Sequence, residues 1–384
     1  MSVSGPPSVL RVLNERAVLE VVADHGPLAR ADVAARLSLS KPTVAAALTR
    51  LVERGTVVEK GQVAGRKVPA AVLYGLAADA FLAMGIDIGA RWIRVALRDA
   101  WGVTRGAAHE PTPTDAAEVP LMVARLAVRV ASDAGHRLDD VTAVVAALPG
   151  VVRADGRTLH LADGLPGGGA GLGEALAREF GEDIVLENDL NLGALAEHSV
   201  GAAVGVDDFV LIGLGTGVGM GVMLGGQLYR GGRGLIGEVG YLPGPSGDPG
   251  ERERVDDILG SQRLVQLAAR AGHGEVTAQD VFALARSGKE DALAMVDDAA
   301  RGLAWVISCV VPALDPSLVV LGGSIGSNGD LLAEPVRAHL AEFSPMAPDI
   351  AFSTLGSQAT LVGAVERADA LARERAFTLA TAAD

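Results

Sequence analysis

The sequence predicts an α/β protein in which a winged helix-turn-helix precedes a body of two lobes facing a cleft. Three observations carry that expectation. Residues 1–76 hold three helical patterns followed by two strand-like runs. Beyond them, strand, Gly-rich turn, strand and second turn occur in FLAMGIDIGARWIRVALRDAWGVT and again in DDFVLIGLGTGVGMGVMLGGQLYRG, an echo that implies a duplicated lobe. Composition agrees, because 49 glycines with only 3% aromatics suit many tight strand-to-helix turns.

After a short arm, VLRVLNERAVLEVVADHG places Leu10, Leu13, Val18, Val21 and Val22 on one helical face and ends at Gly26. A second helix fits Ala29–Leu37. Ser38-Leu39-Ser40 then turns, and Ser40 is placed to cap a third helix with Pro42 in its first turn. Val44, Leu48 and Leu51 form the apolar stripe of that helix, and Gly55 closes it. TVVEK and VPAAVLYGL read as strands joined by Gly61–Lys67. Three short helices and a basic-tipped hairpin make a winged helix-turn-helix, whose third helix enters the major groove of double-stranded DNA. Ser40, Lys41, Thr43, Ala46 and Ala47 are the expected base-facing residues, with Arg50 nearer the backbone. Arg66 and Lys67 on the wing suit phosphate or minor-groove contacts. A helical dimerisation or peptide-binding module would share the helices but not the Gly-Arg-Lys wing.

Net charge is −14, which alone argues against nucleic acid. Its distribution points the other way. Residues 1–80 hold ten Lys/Arg against seven Asp/Glu, and the remainder 23 against 40, so only the first segment approaches phosphate without repulsion. The single cysteine, Cys309, excludes an intrachain disulfide and reads as a packing residue of an apolar helix. The seven histidines are dispersed without metal-ligand spacing. No run reaches the roughly 18 apolar residues of a membrane span, and the first residues lack a signal-peptide pattern. A cytoplasmic location is expected by elimination.

In the body, VTAVVAALPGVV is a buried strand ending at Pro149-Gly150. DIVLENDLNLGALAEHSVGAA is a strand running through Glu187-Asn188-Asp189 into a helix. LVVLGGSIGSN is a strand meeting a Gly-Gly turn. The order of winged helix, DIG, LPG, END, GTGVG, GEVG and VVLGGS resembles the ROK family of bacterial repressors and sugar kinases across essentially the whole chain. The resemblance implies an actin/hexokinase-like fold over 81–384. Its lobes would be approximately 81–190 plus the C-terminal helix, and 191–365, with sugar and nucleotide sites between them. It also implies homodimers or tetramers.

By that resemblance Asp189 matches the base that deprotonates a sugar hydroxyl and Glu238 the sugar-binding glutamate, and Asn188 beside Asp189 is a further candidate for sugar contact. Read from the residues alone, Asn188 and Asp189 equally suit the cap of the following helix. Gly89, Gly215, Thr216, Gly217, Gly322 and Gly323 correspond to nucleotide-site turns, or are plain glycine turns. Two departures weigh against kinase chemistry. Ala90-Arg91 stands where the family's kinases continue DIG with Gly-Thr. The segment after GEVG, Tyr241 through Glu253, contains no Cys or His where the family holds structural zinc. Tyr241 replaces the family's histidine, and Asp256 or Asp257 are candidates for a downstream glutamate. Arg153 and Asp155 read as surface residues. The expectation is a transcriptional regulator, a repressor by preference, with Asp189 a vestigial base, no metal and no cofactor. Its effector would be a sugar or sugar phosphate, and its DNA-binding head would fold separately. An active ATP-dependent sugar kinase bearing a DNA-binding head is the alternative; a repressor answering to a partner protein is a third.

Overall fold

A computed structural model describes residues 7–65, 68–153, 155–162, 164–245 and 253–382. The head comprises α1 (Pro7–His25), β1 (Leu28–Ala29), α2 (Arg30–Leu37), α3 (Lys41–Glu53), β2 (Val57–Gly65) and β3 (Val68–Leu76). Its antiparallel sheet has the order β1-β3-β2. Ser38 adopts the left-handed conformation that ends α2, and Ser40 caps α3 by accepting from the Thr43 N–H. Val18, Leu19 and Val22 of α1 meet Val44, Leu48 and Leu51 of α3 in the core. Leu13 departs from expectation. It is 45% exposed, because the inward face of α1 runs through Glu15, Val18, Leu19 and Val22.

The first lobe contains β4 (Leu82–Ile88), β5 (Trp92–Asp99), β6 (Thr104–Pro111), α4 (Glu118–Asp133) and β7 (Ala143–Leu148). A small ribbon, β8 (Val151–Val152) and β9 (Leu159–His160), then α5 (Leu172–Phe180) and β10 (Val185–Asn188) complete it. Helix α6 (Asp189–Val200) crosses to the second lobe. There β11 (Phe209–Leu214), β12 (Val218–Leu224) and β13 (Gln227–Leu228) precede α7 (Val255–Ile258), α8 (Ser261–Arg270), α9 (Ala278–Arg286) and α10 (Glu290–Leu314). β14 (Leu318–Gly322), α11 (Gly323–Gly326), α12 (Gly329–Phe343) and β15 (Asp349–Phe352) follow, and α13 (Ala359–Thr381) is the last element.

The two sheets repeat one plan. In β6-β5-β4-β7-β10 and in β13-β12-β11-β14-β15, the central strand has an antiparallel neighbour on one side and a parallel one on the other. The echo read from sequence is therefore a strand-for-strand duplication. The second lobe's core lies between its sheet and α10, where Leu303 and Ile307 meet Leu332 and Val336 of α12.

Helix α13 binds the parts together. Ala364, Ala368, Ala372, Ala376 and Ala380 recur every fourth residue and are buried, leaving a shallow stripe that admits close approach. A Cβ on Gly85 would lie 2.5 Å from Val365 Cγ2, and one on Gly363 would collide with the Leu192 carbonyl of α6. Because α13 begins at Ala359, Leu361 and Val365, in a stretch assigned from sequence to the second lobe, pack on the first. The far half of α13 lies beneath the head. Phe377 and Ala380 share one apolar cluster with Val18, Leu19 and Val22. Arg54 donates to the Ala380 carbonyl, Arg373 pairs with Asp24, and the Trp101 indole donates to Leu76 O at 2.9 Å. The expectation that the head folds separately is thus corrected: it is built onto the first lobe through a common core. No helix among the described residues is long and apolar enough to cross a membrane.

Candidate functional site

The outer face of α3 is small and polar. Ser40, Lys41, Pro42, Ala46 and Thr49 are exposed, while Thr43 is half-buried with its hydroxyl 2.7 Å from that of Ser40. Thr49, one turn beyond Ala46, belongs to this face and sequence reasoning missed it; the i, i+3 spacing was the available signal. Two expected residues face elsewhere. Ala47 is fully buried, since it lies one turn after Val44 on the inward stripe. Arg50 turns toward α1 and pairs with Glu15, which is itself buried and also held by Arg54. Arg66 and Lys67 lie outside the described residues.

In the cleft, β10 delivers Asn188 and Asp189 to the start of α6. Asn188 is the helix cap: its Oδ1 accepts from the Leu190 and Asn191 N–H groups at 2.9 and 3.0 Å. Its Nδ2 donates to Gly150 O at 2.9 Å, fastening the LPG turn to the END strand. That leaves Asn188 one donor hydrogen to offer a ligand. Asp189 opens α6 and accepts from Leu190 N at 2.9 Å. Burial, then the charges of Asp87 and Glu238, raise its pKa to about 7. Near neutral pH its carboxyl is therefore present in both forms, able to donate or to accept a hydrogen bond.

Asp87, near the end of β4, is also raised by burial, although Arg94 donates to it at 2.7 Å and opposes the shift. Across the cleft, Glu238 is raised by burial and then by Asp256. Asp256 is itself raised by burial while accepting from Val218 N at 2.8 Å. Of the two candidates for the downstream carboxylate, the structure places Asp256 in the site. A Cβ on Gly217 or Gly240 would meet its carboxylate, whereas Asp257 accepts from Arg254 N at the start of α7. Tyr241 is 38% exposed, with the Arg254 guanidinium 5.0 Å from its ring centroid. Asp87, Asp189, Glu238 and Asp256 thus form an electrostatically linked row spanning both lobes, suited to the hydroxyls of a polyol.

The glycine turns have packing roles of their own. Gly89 N donates to Trp92 O at 3.0 Å, and Gly215 N to Gly217 O at 3.0 Å, so each turn closes on itself. Thr216 is exposed at the second turn, as are Ala90 and Arg91 at the first. Gly322 is buried against Leu211, and Gly323, at φ +83°, lies so close to the Leu214 carbonyl that a Cβ would collide. The family's structural zinc does not fit this chain. Tyr241 through Glu253 supplies no nitrogen or sulfur ligand, and Cys309 lies half-buried in α10.

Two family models cover the chain: the ROK family matches residues 83–370 and the MarR family residues 13–67. The chain belongs to the ROK family. It is 25% identical to the DNA-binding transcriptional dual regulator NagC of Escherichia coli over 348 residues, 87% of this chain and 86% of that protein. It is 33% identical to a glucokinase of Halalkalibacterium halodurans over 215 residues, 50% of this chain and 65% of the kinase. Its fold matches the crystal structure of a ROK family transcriptional regulator, a homologue of the E. coli MLC protein, with TM-score 0.76. That match, at 22% identity, covers 96% of this chain and 99% of the other. Likeness to regulators therefore extends over head and body together, whereas the glucokinase match takes in half the chain.

Proposed function

We propose that this ROK protein is a DNA-binding transcriptional repressor whose interlobe cleft binds a sugar or sugar phosphate. The observation that carries the reading is a winged helix with an exposed Ser40–Lys41–Ala46–Thr49 face, fused through α13 to a carboxylate-lined cleft. On this reading Asn188, Asp189, Glu238, Tyr241 and Asp256 contact the effector. The protein acts in the cytoplasm as a homodimer or tetramer, because two heads read a two-fold operator. Signalling requires that the effector favour one interlobe state over another. The decisive experiment selects an operator from random duplexes and then asks which sugars alter its affinity. Asp189→Ala and Glu238→Ala should bind operator as wild type does and respond about ten- to a hundredfold more weakly. Wild-type response in both variants would move the sensor out of the cleft.

A pKa near 7 at Asp189 favours a second reading, an ATP-dependent sugar kinase, since a base matched to neutral pH suits hydroxyl activation. Ala90-Arg91 opposes it. No appreciable phosphorylation of common hexoses and no stoichiometric zinc are expected. Turnover abolished by Asp189→Asn would reverse the assignment.

A further inference from the structure

An ion pair crosses between the lobes. Glu187, on the first lobe's β10, is buried and accepts from Arg230 Nε at 2.6 Å, with Arg230 Nη2 on the same oxygen. Arg230 belongs to the second lobe, just past β13, and opens the segment that reaches Glu238. That segment is tied at both ends to its own lobe: Tyr229 N donates to Val222 O at 2.8 Å, and Met220 N to Gly237 O at 2.9 Å. Its middle leans on the other lobe, where a Cβ on Gly234 would lie 3.1 Å from Val152 O. Residues 229–238 therefore form a strap whose ends ride on one lobe and whose middle is clasped by the other.

We propose that Arg230 is a positioning residue for effector binding, clasping this strap to Glu187 so that Glu238 stands opposite Asp189. This rests on the reading of the cleft as the effector site. A guanidinium is suited to the task because its planar fork donates two bonds to one carboxylate, which an ammonium cannot reproduce. Glu187 does not depend on Arg230 for its own place. Its other oxygen accepts from Asn188 N at 3.1 Å and from Asn191 Nδ2 at 2.8 Å, so the β10–α6 junction survives loss of the arginine. Removing Arg230 thus frees the strap and not the fold.

Amide hydrogen exchange on wild type, Arg230→Gln, Arg230→Lys and Asp189→Ala tests this, alone and with millimolar D-glucose, D-xylose, N-acetyl-D-glucosamine or their 6-phosphates. Without sugar, amides 231–241 should exchange about ten- to a hundredfold faster in Arg230→Gln, with Arg230→Lys between it and wild type. Any sugar that protects the wild-type cleft should bind Arg230→Gln more weakly by a similar factor. Wild-type exchange of the strap in Arg230→Gln overturns the clasp, and so does a freed strap that leaves sugar affinity unchanged. Failure of the cleft reading looks different. Sugar would then protect Asp189→Ala as well as wild type, or protect neither protein's cleft, while the sugar-free comparison still decides whether Arg230 holds the strap.

Discussion

The molecule has two seams, and they are made differently. Head and first lobe meet through apolar surface: Val18, Leu19 and Val22 of α1 share a core with Phe377 and Ala380 of α13. First and second lobes are joined where α13 packs on α6, Gly363 against Leu192, and face each other across Asp87, Asp189, Glu238 and Asp256, with the Arg230–Glu187 pair as a fastening. Separating the first seam returns apolar surface to water, at about 25 cal/mol per Å². Separating the second hydrates charged groups that were poorly hydrated, and so returns much of the free energy lost with their contacts. The difference teaches where motion belongs: head and first lobe should move as one body, and any opening should fall at the interlobe cleft.

The largest test breaks the first seam. Phe377 is 2% exposed, so Phe377→Ala should lower unfolding free energy by about 3–5 kcal/mol and weaken operator binding with it. Leu379, two residues along the same helix, is 73% exposed, and Leu379→Ala should stay within about 0.5 kcal/mol. Denaturant titration of both variants measures the contrast. Equal, small losses would mean that the head is merely tethered.

The second test concerns the charged seam. Asp189 has a folded pKa of about 7 against 3.8 for the unmodified group. A raised carboxyl contributes stability that is fully present below about pH 4 and is lost as pH rises through about 7. Asp189→Asn removes that loss. Its stability should equal that of wild type near pH 4 and exceed it by about 2–4 kcal/mol at pH 8. Thermal unfolding across that range checks the sign, and parallel pH profiles for the two proteins would reject it.

A third, smaller loss is expected at Glu15, whose carboxylate is buried while Arg50 and Arg54 remain 32% and 23% exposed. Glu15→Gln should cost about 1–3 kcal/mol, since the arginines recover part of their hydration. With Arg50 no longer held toward α1, the salt dependence of DNA binding should steepen by about one unit of slope. An unchanged slope would leave Arg50 without a part in DNA binding even when released.

What the sequence discloses follows the range of the interaction. Ser40 as cap, the Val44–Leu48–Leu51 stripe and the duplicated strand–turn–strand are local patterns, and the structure contains all of them. Ala45–Ala47 defeats hydropathy because three identical residues carry no phase, so Ala47 reads as outward when it points in. Arg50 looks free because its partner lies 35 residues earlier. The alanine stripe of α13 carries no amphipathic signature, so the seam beneath the head is invisible until the helix is placed. Asp256 and Asp257 are adjacent and chemically alike, and only the backbone at Val218 and Arg254 separates cleft residue from cap. Glu187 and Arg230 belong to different lobes, and no local pattern joins them.

The smallest expected effect bears on whether the two seams are independent. Trp101, in the β5–β6 turn, holds the wing from the first-lobe side. Its indole donates to Leu76 O at 2.9 Å, and Lys60 Nζ lies 3.4 Å above its ring. Trp101→Phe deletes the N–H while leaving an aromatic face for Lys60, so one neutral hydrogen bond is lost, worth about 0.5–1.5 kcal/mol. The side chain is 49% exposed, which places the effect at the lower end of that range. Wing amides of β2 and β3 should exchange faster, operator affinity should fall slightly, and exchange at the END strand and the 229–238 strap should not change. If Trp101→Phe also shifts the sugar concentration needed for response, the wing and the cleft are coupled through the first lobe, and head plus lobe no longer behave as one rigid body.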